Sequence, residues 1–108
     1  MSRKTRLAET PAPQQAPPTA EEINLIAAAL SDPIRFRALK LICAQGPITS
    51  GTLVTMLGIT GATLSHHLER LRAACLIGTS REGRYRIHSV RRETLDRYVK
   101  ALMTLIGK

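Results

Sequence analysis

The chain has 108 residues, of which 44% are apolar and only 3% aromatic, and it carries a formal net charge of +8. This length suits one small domain whose single core must be aliphatic. No apolar run approaches the roughly 20 residues of a membrane span. Two cysteines without a Cys-x-x-Cys motif argue against a disulfide scaffold and fit a reducing cytosol, so we expect a soluble intracellular protein that does not bind to membranes.

The positive charge is concentrated in the larger, C-terminal part of the chain. Residues 33–108 hold thirteen Lys and Arg against four Asp and Glu, whereas residues 19–32 hold three acids and no base. A basic field confined to one portion predicts a polyanionic partner, and nucleic acid is favoured over an anionic membrane.

Two regions are predicted. Residues 1–18 hold four of the six prolines and are expected to form a disordered, basic and proline-rich arm. Its basic side chains Arg3, Lys4 and Arg6 either contact DNA phosphates or, more simply, belong to a solvated tail. Residues 19–108 are expected to form one folded domain.

The domain is predicted to begin with two helices. Thr19 and Glu22 have the spacing of a capping box at the start of the first. Asp32 as N-cap and Pro33 at the first helical position begin the second. The buried face of the second helix is expected to comprise Ile34, Ala38, Leu41 and Ile42. Its solvent-facing side is expected to carry Arg35, Arg37 and Lys40.

A helix-turn-helix and a hairpin follow. "ITSGTLVTML" predicts a short third helix capped by Thr49 or Ser50, and a turn at Gly58 leads to a fourth helix capped by Thr60. After Cys75 the apolar residues recur at every second position, as they do in a strand. This pattern predicts two strands around a turn at Glu82-Gly83. Tyr85 and Ile87 are expected on the apolar face of the hairpin, opposite a cationic face with Arg84, Arg86 and His88.

The fold class is therefore mainly α with a small β-hairpin, a winged helix-turn-helix. "RRETLDRYVKALMTLIGK" predicts a last helix with a wide apolar stripe, and the first helix also has a spare stripe. These two helices are expected to pack together and against their symmetry mates in an isologous homodimer. The residues predicted at the dimer interface are Ile23, Ile26, Leu30, Leu95, Val99, Leu102 and Ile106.

The fourth helix is the predicted recognition helix. On a helical wheel Leu64, Leu68 and Leu71 form its core side; His66 points the opposite way and His67 lies at the shoulder. We expect His66 to contact base edges, with a solvated surface histidine as the alternative. His67 is expected to be partly buried and hydrogen-bonded. The predicted DNA-binding residues are Thr60, Ala62, Thr63, Ser65, His66, Arg70, Arg81, Arg84 and Arg86.

Three segments, "ALSDPIRFRALKLI", "LGITGATLSHHLERLRAACLI" and "REGRYRIHSV", resemble the ArsR/SmtB family of winged-helix transcriptional regulators. The resemblance covers about residues 23–106, in matching order. It implies a homodimeric, cytoplasmic prokaryotic repressor that binds double-stranded operator DNA. It also implies an effector, since members of the family are commonly released from DNA by metal ions, metalloids or thiol oxidation.

The resemblance locates the positions of two common metal sites of the family, and this chain lacks metal-binding residues at those positions. The Cys-x-Cys positions fall on Thr49 and Gly51, and Asp96 in the last helix has no histidine after it. We therefore expect no metal and no cofactor, and the effector is not identified. Cys43 and Cys75 form a possible redox pair if they approach within about 7 Å; the simpler alternative is two small apolar side chains.

The function expected from these observations is sequence-specific DNA binding by a homodimeric transcriptional repressor. Two alternatives stay open: a thiol-responsive regulator using Cys43 and Cys75, and a winged-helix module that binds proteins without reading DNA. Gly61 and Ala62 favour the second alternative, because the family often carries a polar reading side chain at the position of Gly61. An enzyme is not expected, because the sequence has no acid–base pair, nucleophile–base spacing or phosphate loop.

Overall fold

The fold is that of a winged helix-turn-helix, in a computed structural model that describes residues 16–107. The predicted arm lies outside the described residues except for Ala16–Pro18. Among the described residues, no helix is long and apolar enough to cross a membrane. The helices are α1 Ala20–Leu30, α2 Pro33–Gln45, α3 Ser50–Leu57, α4 Gly61–Ala73 and α5 Arg92–Leu105. The strands are β1 Ile48–Thr49, β2 Ile77–Glu82 and β3 Tyr85–Val90.

The predicted helix starts are confirmed by their capping hydrogen bonds. The amide of Glu22 donates to Thr19 Oγ1 and the amide of Thr19 donates to Glu22 Oε1, which completes the capping box. Asp32 Oδ1 accepts from the amides of Ile34 and Arg35, both at 2.9 Å. These backbone bonds stabilise the ionised carboxylates, so the pKa values of Glu22 and Asp32 are lowered.

Arg35 is buried, contrary to the expectation that it faces solvent. Its Nε donates to the carbonyl of Ala29 at 2.7 Å and its terminal nitrogen donates to Ala28 at 3.4 Å. The side chain is long enough to reach the C-terminal end of α1, where unpaired carbonyls and the helix dipole favour a cation. Arg35 therefore links α2 to the C-terminal end of α1 by hydrogen bonds. The buried face of α2 is Arg35, Ala38, Leu39 and Ile42, while Ile34 and Leu41 are half-buried.

The end of α4 directs the chain into the hairpin. The amide of Leu76 donates to the Leu71 carbonyl at 3.0 Å and that of Cys75 donates to Arg72 at 2.8 Å. This is the hydrogen-bond pattern of a Schellman motif, and Leu71 and Leu76 are both fully buried beside it. Cys75 occupies the left-handed position of the motif with φ 60°, a conformation that favours glycine.

The hairpin belongs to a three-stranded antiparallel sheet with strand order β1-β3-β2. Gly83, at φ 62°, takes the first position of the two-residue turn, where a positive φ is needed. Strand β1 was not predicted, because two residues are too short to show an alternating pattern. It pairs with β3 through Ile48 opposite His88 and Thr49 opposite Ile87.

The two faces of the hairpin differ from those predicted. His88 is fully buried, whereas Tyr85 is 57% exposed and Ile87 is half-buried. His88 lies on the same side of β3 as Val90, which packs against the core. The face of the hairpin that was expected to be cationic is therefore the face directed toward the core. The assignment of His88 to a solvent-facing cationic surface is wrong.

Helix α5 contains no buried residue. Leu95 packs against the core while partly exposed, and Val99, Leu102 and Ile106 are 50%, 44% and 68% exposed. On α1, Ile23 and Leu30 are half-buried, but Ile26 is only 3% exposed. Ile26 lies in the core of the protomer and has almost no area left for a partner, which corrects its assignment to the dimer interface.

Replacing Arg35 with alanine is expected to lower the free energy of unfolding by about 2–3 kcal/mol, because a charged donor to two carbonyls is lost. The matched control is Arg37→Ala, which removes the same charge from an exposed site of the same helix and should change stability by less than about 0.5 kcal/mol. Urea denaturation followed by circular dichroism measures both values. Equal losses in the two variants would contradict the role of Arg35.

Candidate nucleic-acid interface

The packing of α4 decides which of its side chains face solvent. Leu64, Leu68 and Leu71 are 1%, 3% and 0% exposed and hold one side of the helix against the core. Because the opposite side of the helix has nothing packed on it, a polar face is left open along its N-terminal half. All the predicted DNA-binding residues of this helix and its cap are exposed: Thr60, Ala62, Thr63, Ser65, His66 and Arg70.

The N-terminus of α4 presents hydroxyl groups to solvent. Thr60 Oγ1 accepts the amide of Thr63 at 3.1 Å and donates to Thr63 Oγ1 at 3.0 Å. The first turn carries no acidic side chain that would offset the positive end of the helix dipole. Gly61 lies in the same turn with open space where a Cβ would point. This end of the helix is therefore chemically suited to an anion such as a phosphate.

The two adjacent histidines of α4 have different environments. His66 is exposed, whereas His67 is 9% exposed, and their ring centroids are 6.2 Å apart with the planes tilted by 57°. The expectation that His67 is hydrogen-bonded is not met at Nδ1, which is buried without a partner. Within residues 16–107, no three His, Cys, Asp or Glu residues are grouped so that they could hold a metal ion.

The wing places two arginines directly opposite each other. The register of β2 and β3 pairs Arg81 with Arg86, and both are exposed, as is Arg84 in the turn. Paired residues of an antiparallel ladder share a face with their Cβ atoms about 5 Å apart, and like charges in that position are destabilising. A polyanion bound at this surface would relieve that repulsion.

His88 joins the wing to the first helix of the helix-turn-helix. Its Nε2 lies 2.8 Å from Ser50 Oγ and its Nδ1 lies 2.9 Å from Thr79 Oγ1. Burial, together with the charges of Arg86 and Arg72, lowers the pKa of His88 to about 4. The ring is therefore neutral at physiological pH. Sequence reasoning missed this role, although the shared parity of His88 with Val90 was a signal that His88 faces inward.

The two cysteines are free thiols. Cys43 is half-buried in α2, where burial raises its pKa and the charge of Arg92 partly opposes that effect. The thiolate is the reactive form, so the raised pKa makes Cys43 less nucleophilic. Cys75 is exposed in the turn after α4.

Known proteins resemble this chain in sequence and in fold. The sequence profile of the bacterial regulatory protein arsR family matches residues 32–77, from the cap of α2 to the start of β2. The matched segment contains the whole helix-turn-helix. The helix-turn-helix of this chain is therefore similar to that of the ArsR family.

Three known proteins are similar to this chain, one in sequence and two in fold. The transcriptional repressor SdpR of Bacillus subtilis (strain 168) is 29% identical over 86 residues, which cover 80% of this chain and 94% of SdpR. An ArsR-like transcriptional regulator from Rhodococcus sp. RHA1 shares the fold with TM-score 0.72 and 24% identity over 79% of each chain. A homodimeric winged helix-turn-helix DNA-binding domain from Mycobacterium bovis has TM-score 0.66 and 21% identity, over 99% of this chain and 86% of that one.

The buried histidine makes the protein sensitive to mild acid. Because the pKa of His88 is about 4 in the folded state against 6.5 in the unfolded state, the unfolded chain binds more protons between these values. The contribution of His88 to the free energy of unfolding is fully present above about pH 6.5. Below that pH, the free energy of unfolding falls by at most about 1.4 kcal/mol per pH unit down to pH 4. His88→Phe should flatten this slope in urea titrations at a series of pH values.

Ser89→Ala, at the exposed neighbour of His88, is the control and should retain the wild-type slope. The lowered pKa values of Glu22 and Asp32 also cost stability in acid, but they do so in every variant and cancel in the comparison. Parallel slopes for wild type and His88→Phe would show that His88 does not titrate in this way.

Proposed function

We propose that the protein is a homodimeric repressor that binds operator DNA through α4 and the wing. The observation that carries this proposal is the exposed cationic wing, with Arg81 opposite Arg86, on a domain whose recognition helix keeps a polar face free. SdpR, a relative of similar length, is a transcriptional repressor. DNA binding confines its site of action to the compartment that holds the chromosome, which for this family is the prokaryotic cytoplasm.

In this proposal α4 enters the major groove by its N-terminal half. His66, Thr63 and Ser65 are exposed there and supply hydrogen-bonding groups to base edges, while the methyl group of Ala62 suits a thymine methyl group. Thr60 and the free amides of the first turn suit a phosphate. Arg70, further along the exposed side of the helix, is assigned to the DNA backbone.

The wing arginines supply the sequence-independent part of the affinity. Arg84 lies in the turn at the tip of the wing. Arg81 and Arg86 form the second residue pair of the β2–β3 ladder, counted from that turn. Each arginine that neutralises a phosphate releases a condensed counterion, so the affinity is expected to fall as salt rises. The same side chains also suit a narrow minor groove.

Dimerisation is assigned to α5 and the adjoining surface of α1. Val99, Leu102 and Ile106 form one stripe of α5 that the protomer leaves exposed, and Leu25 of α1 is also 42% exposed. Exposed apolar side chains in a continuous stripe indicate a surface that is covered in the functional assembly. The Mycobacterium bovis domain of the same fold is homodimeric. A two-fold axis between the α5 helices would present two α4 tips to successive major grooves, about 34 Å apart.

These features support a binding protein rather than an enzyme. A thiol-responsive regulator is less well supported, because the pKa of Cys43 is raised rather than lowered. A protein-interaction module without DNA reading predicts that substitutions on the exposed face of α4, such as His66→Ala, leave function intact.

His66→Ala and Arg84→Ala should weaken operator binding in different ways. Loss of a base contact at His66 is expected to cost about 1–3 kcal/mol on specific DNA and little on random DNA. Loss of a phosphate contact at Arg84 should weaken binding to both and reduce the slope of log affinity against log salt by about 1. Gel-shift titrations at several salt concentrations, with DNA upstream of the protein's own gene, measure both effects.

Lys100→Ala is the matched control for Arg84→Ala. It removes one positive charge from an exposed residue of α5 that pairs with Asp96, far along the chain from the reading surface. Its salt slope should equal that of the wild type. Binding by wild type that is indifferent to sequence, or unaffected by both substitutions at His66 and Arg84, would contradict the proposed function and favour the protein-interaction module.

Leu102→Glu should convert the dimer into monomers, because it places a charge in the apolar stripe of α5 at an interface that excludes water. Thr104→Glu adds the same charge on the opposite side of the helix and should leave the dimer intact. Sedimentation equilibrium measures the molecular mass, and circular dichroism verifies that both variants fold. A dimeric Leu102→Glu variant would show that α5 is not the interface.

A further inference from the structure

The base of the wing packs on the core, whereas its outer part is exposed. The hairpin itself is held by six residue pairs between β2 and β3, from Ile77–Val90 to Glu82–Tyr85. Its connection to the helix-turn-helix through β1 comprises only two pairs, Ile48–His88 and Thr49–Ile87. Ile77 and Val90 also attach the base of the hairpin to the core, but residues 80–86 are all exposed. The position of this outer part relative to the recognition helix therefore depends on the contacts of the strand residues behind it.

His88 lies where the exposed outer part of the wing meets its packed base. Strand β1 continues without interruption into α3, whose first residue is Ser50, so the bond from His88 Nε2 to Ser50 Oγ crosses from sheet to helix. On its other side Nδ1 meets Thr79 Oγ1, and Thr79 is the direct partner of His88 in the β2–β3 register. Because β2 and β3 are already well paired, the bond to Thr79 serves to orient the ring so that Nε2 points to Ser50.

The chemistry of the three groups matches this arrangement. A neutral imidazole has one donor and one acceptor nitrogen, and each hydroxyl can donate or accept, so both ring bonds can be satisfied at once. His88 is fully buried, so losing either bond leaves a polar nitrogen without a partner or water. Ser50 is not the N-cap of α3, since Thr49 accepts the amide of Thr52. The Ser50 hydroxyl is thus free for the wing.

We propose that His88 is a positioning residue for DNA recognition, which fixes the wing against α3 through Ser50 so that the wing arginines and α4 meet one DNA duplex together. This inference rests on the proposed function. Removing the constraint loosens the outer part of the hairpin, and the wing arginines then contribute less to affinity, although none of them has been changed.

A double-substitution cycle tests the coupling. In the wild-type background Arg84→Ala should lower operator affinity about fivefold or more. In a Ser50→Ala background the same substitution should lower it by less than about twofold, because the wing is no longer held on the DNA. Ser50→Thr keeps the hydroxyl and should restore the full effect of Arg84→Ala. Arg84→Ala that costs the same factor in all three backgrounds would overturn the proposal.

A measurement on free protein keeps this inference separate from the proposed function. Residual dipolar couplings of backbone amides report the orientation of residues 79–87 relative to α3 and α4. Ser50→Ala should reduce or shift the couplings of the hairpin while those within α4 keep their values, and Ser50→Thr should leave both sets unchanged. Unchanged hairpin couplings in Ser50→Ala would refute the positioning role of His88. Absence of specific binding by wild-type protein would refute only the proposed function.

Discussion

The packing of α4 on the core is the constraint on which the rest of the structure depends. Leu64, Leu68 and Leu71 fill one side of this helix, and burial of each leucine contributes about 2 kcal/mol. Turning the helix by a single residue, about 100°, would carry these leucines out of the core, so its rotation about its own axis is strongly determined. The face available to DNA is thus defined by what the core has not covered. A recognition surface can vary in its exposed residues while this rotation stays the same.

The wing combines a charged tip with an apolar base. Its tip carries arginines that repel one another, whereas its base contributes Ile77 and Val90 to the core. The polar bonds of His88 lie between these two parts. His88 makes these bonds as a neutral ring, because burial and the charges of Arg86 and Arg72 lower its pKa to about 4. Arg86 therefore acts on the protonation state of His88 in addition to its proposed contact with DNA.

Local features were predictable from the sequence, and those that depend on distant partners were not. The caps at Thr19, Asp32 and Thr60 involve residues at most three positions apart, so the sequence contains both partners. Arg35 and His88 are polar types that usually face solvent, and their burial depends on carbonyls and hydroxyls from other elements. The periodicity of α1 places Ile26 on the apolar face of the helix. It does not distinguish a core within one protomer from an interface between two protomers. Strand β1 is visible only through its partner β3.

The exposed stripe of α5 links stability to DNA recognition. A core without buried aromatic side chains in the described residues offers limited stabilisation to a domain of this size, so covering the stripe with a second copy stabilises the fold itself. In the proposed dimer, the same contact holds two reading helices at a fixed spacing. Once one half-site is bound, the second binding event becomes intramolecular and gains the corresponding effective concentration. For the proposed dimer, two-fold rotation predicts a palindromic DNA site whose half-site spacing depends on the apolar packing of α5.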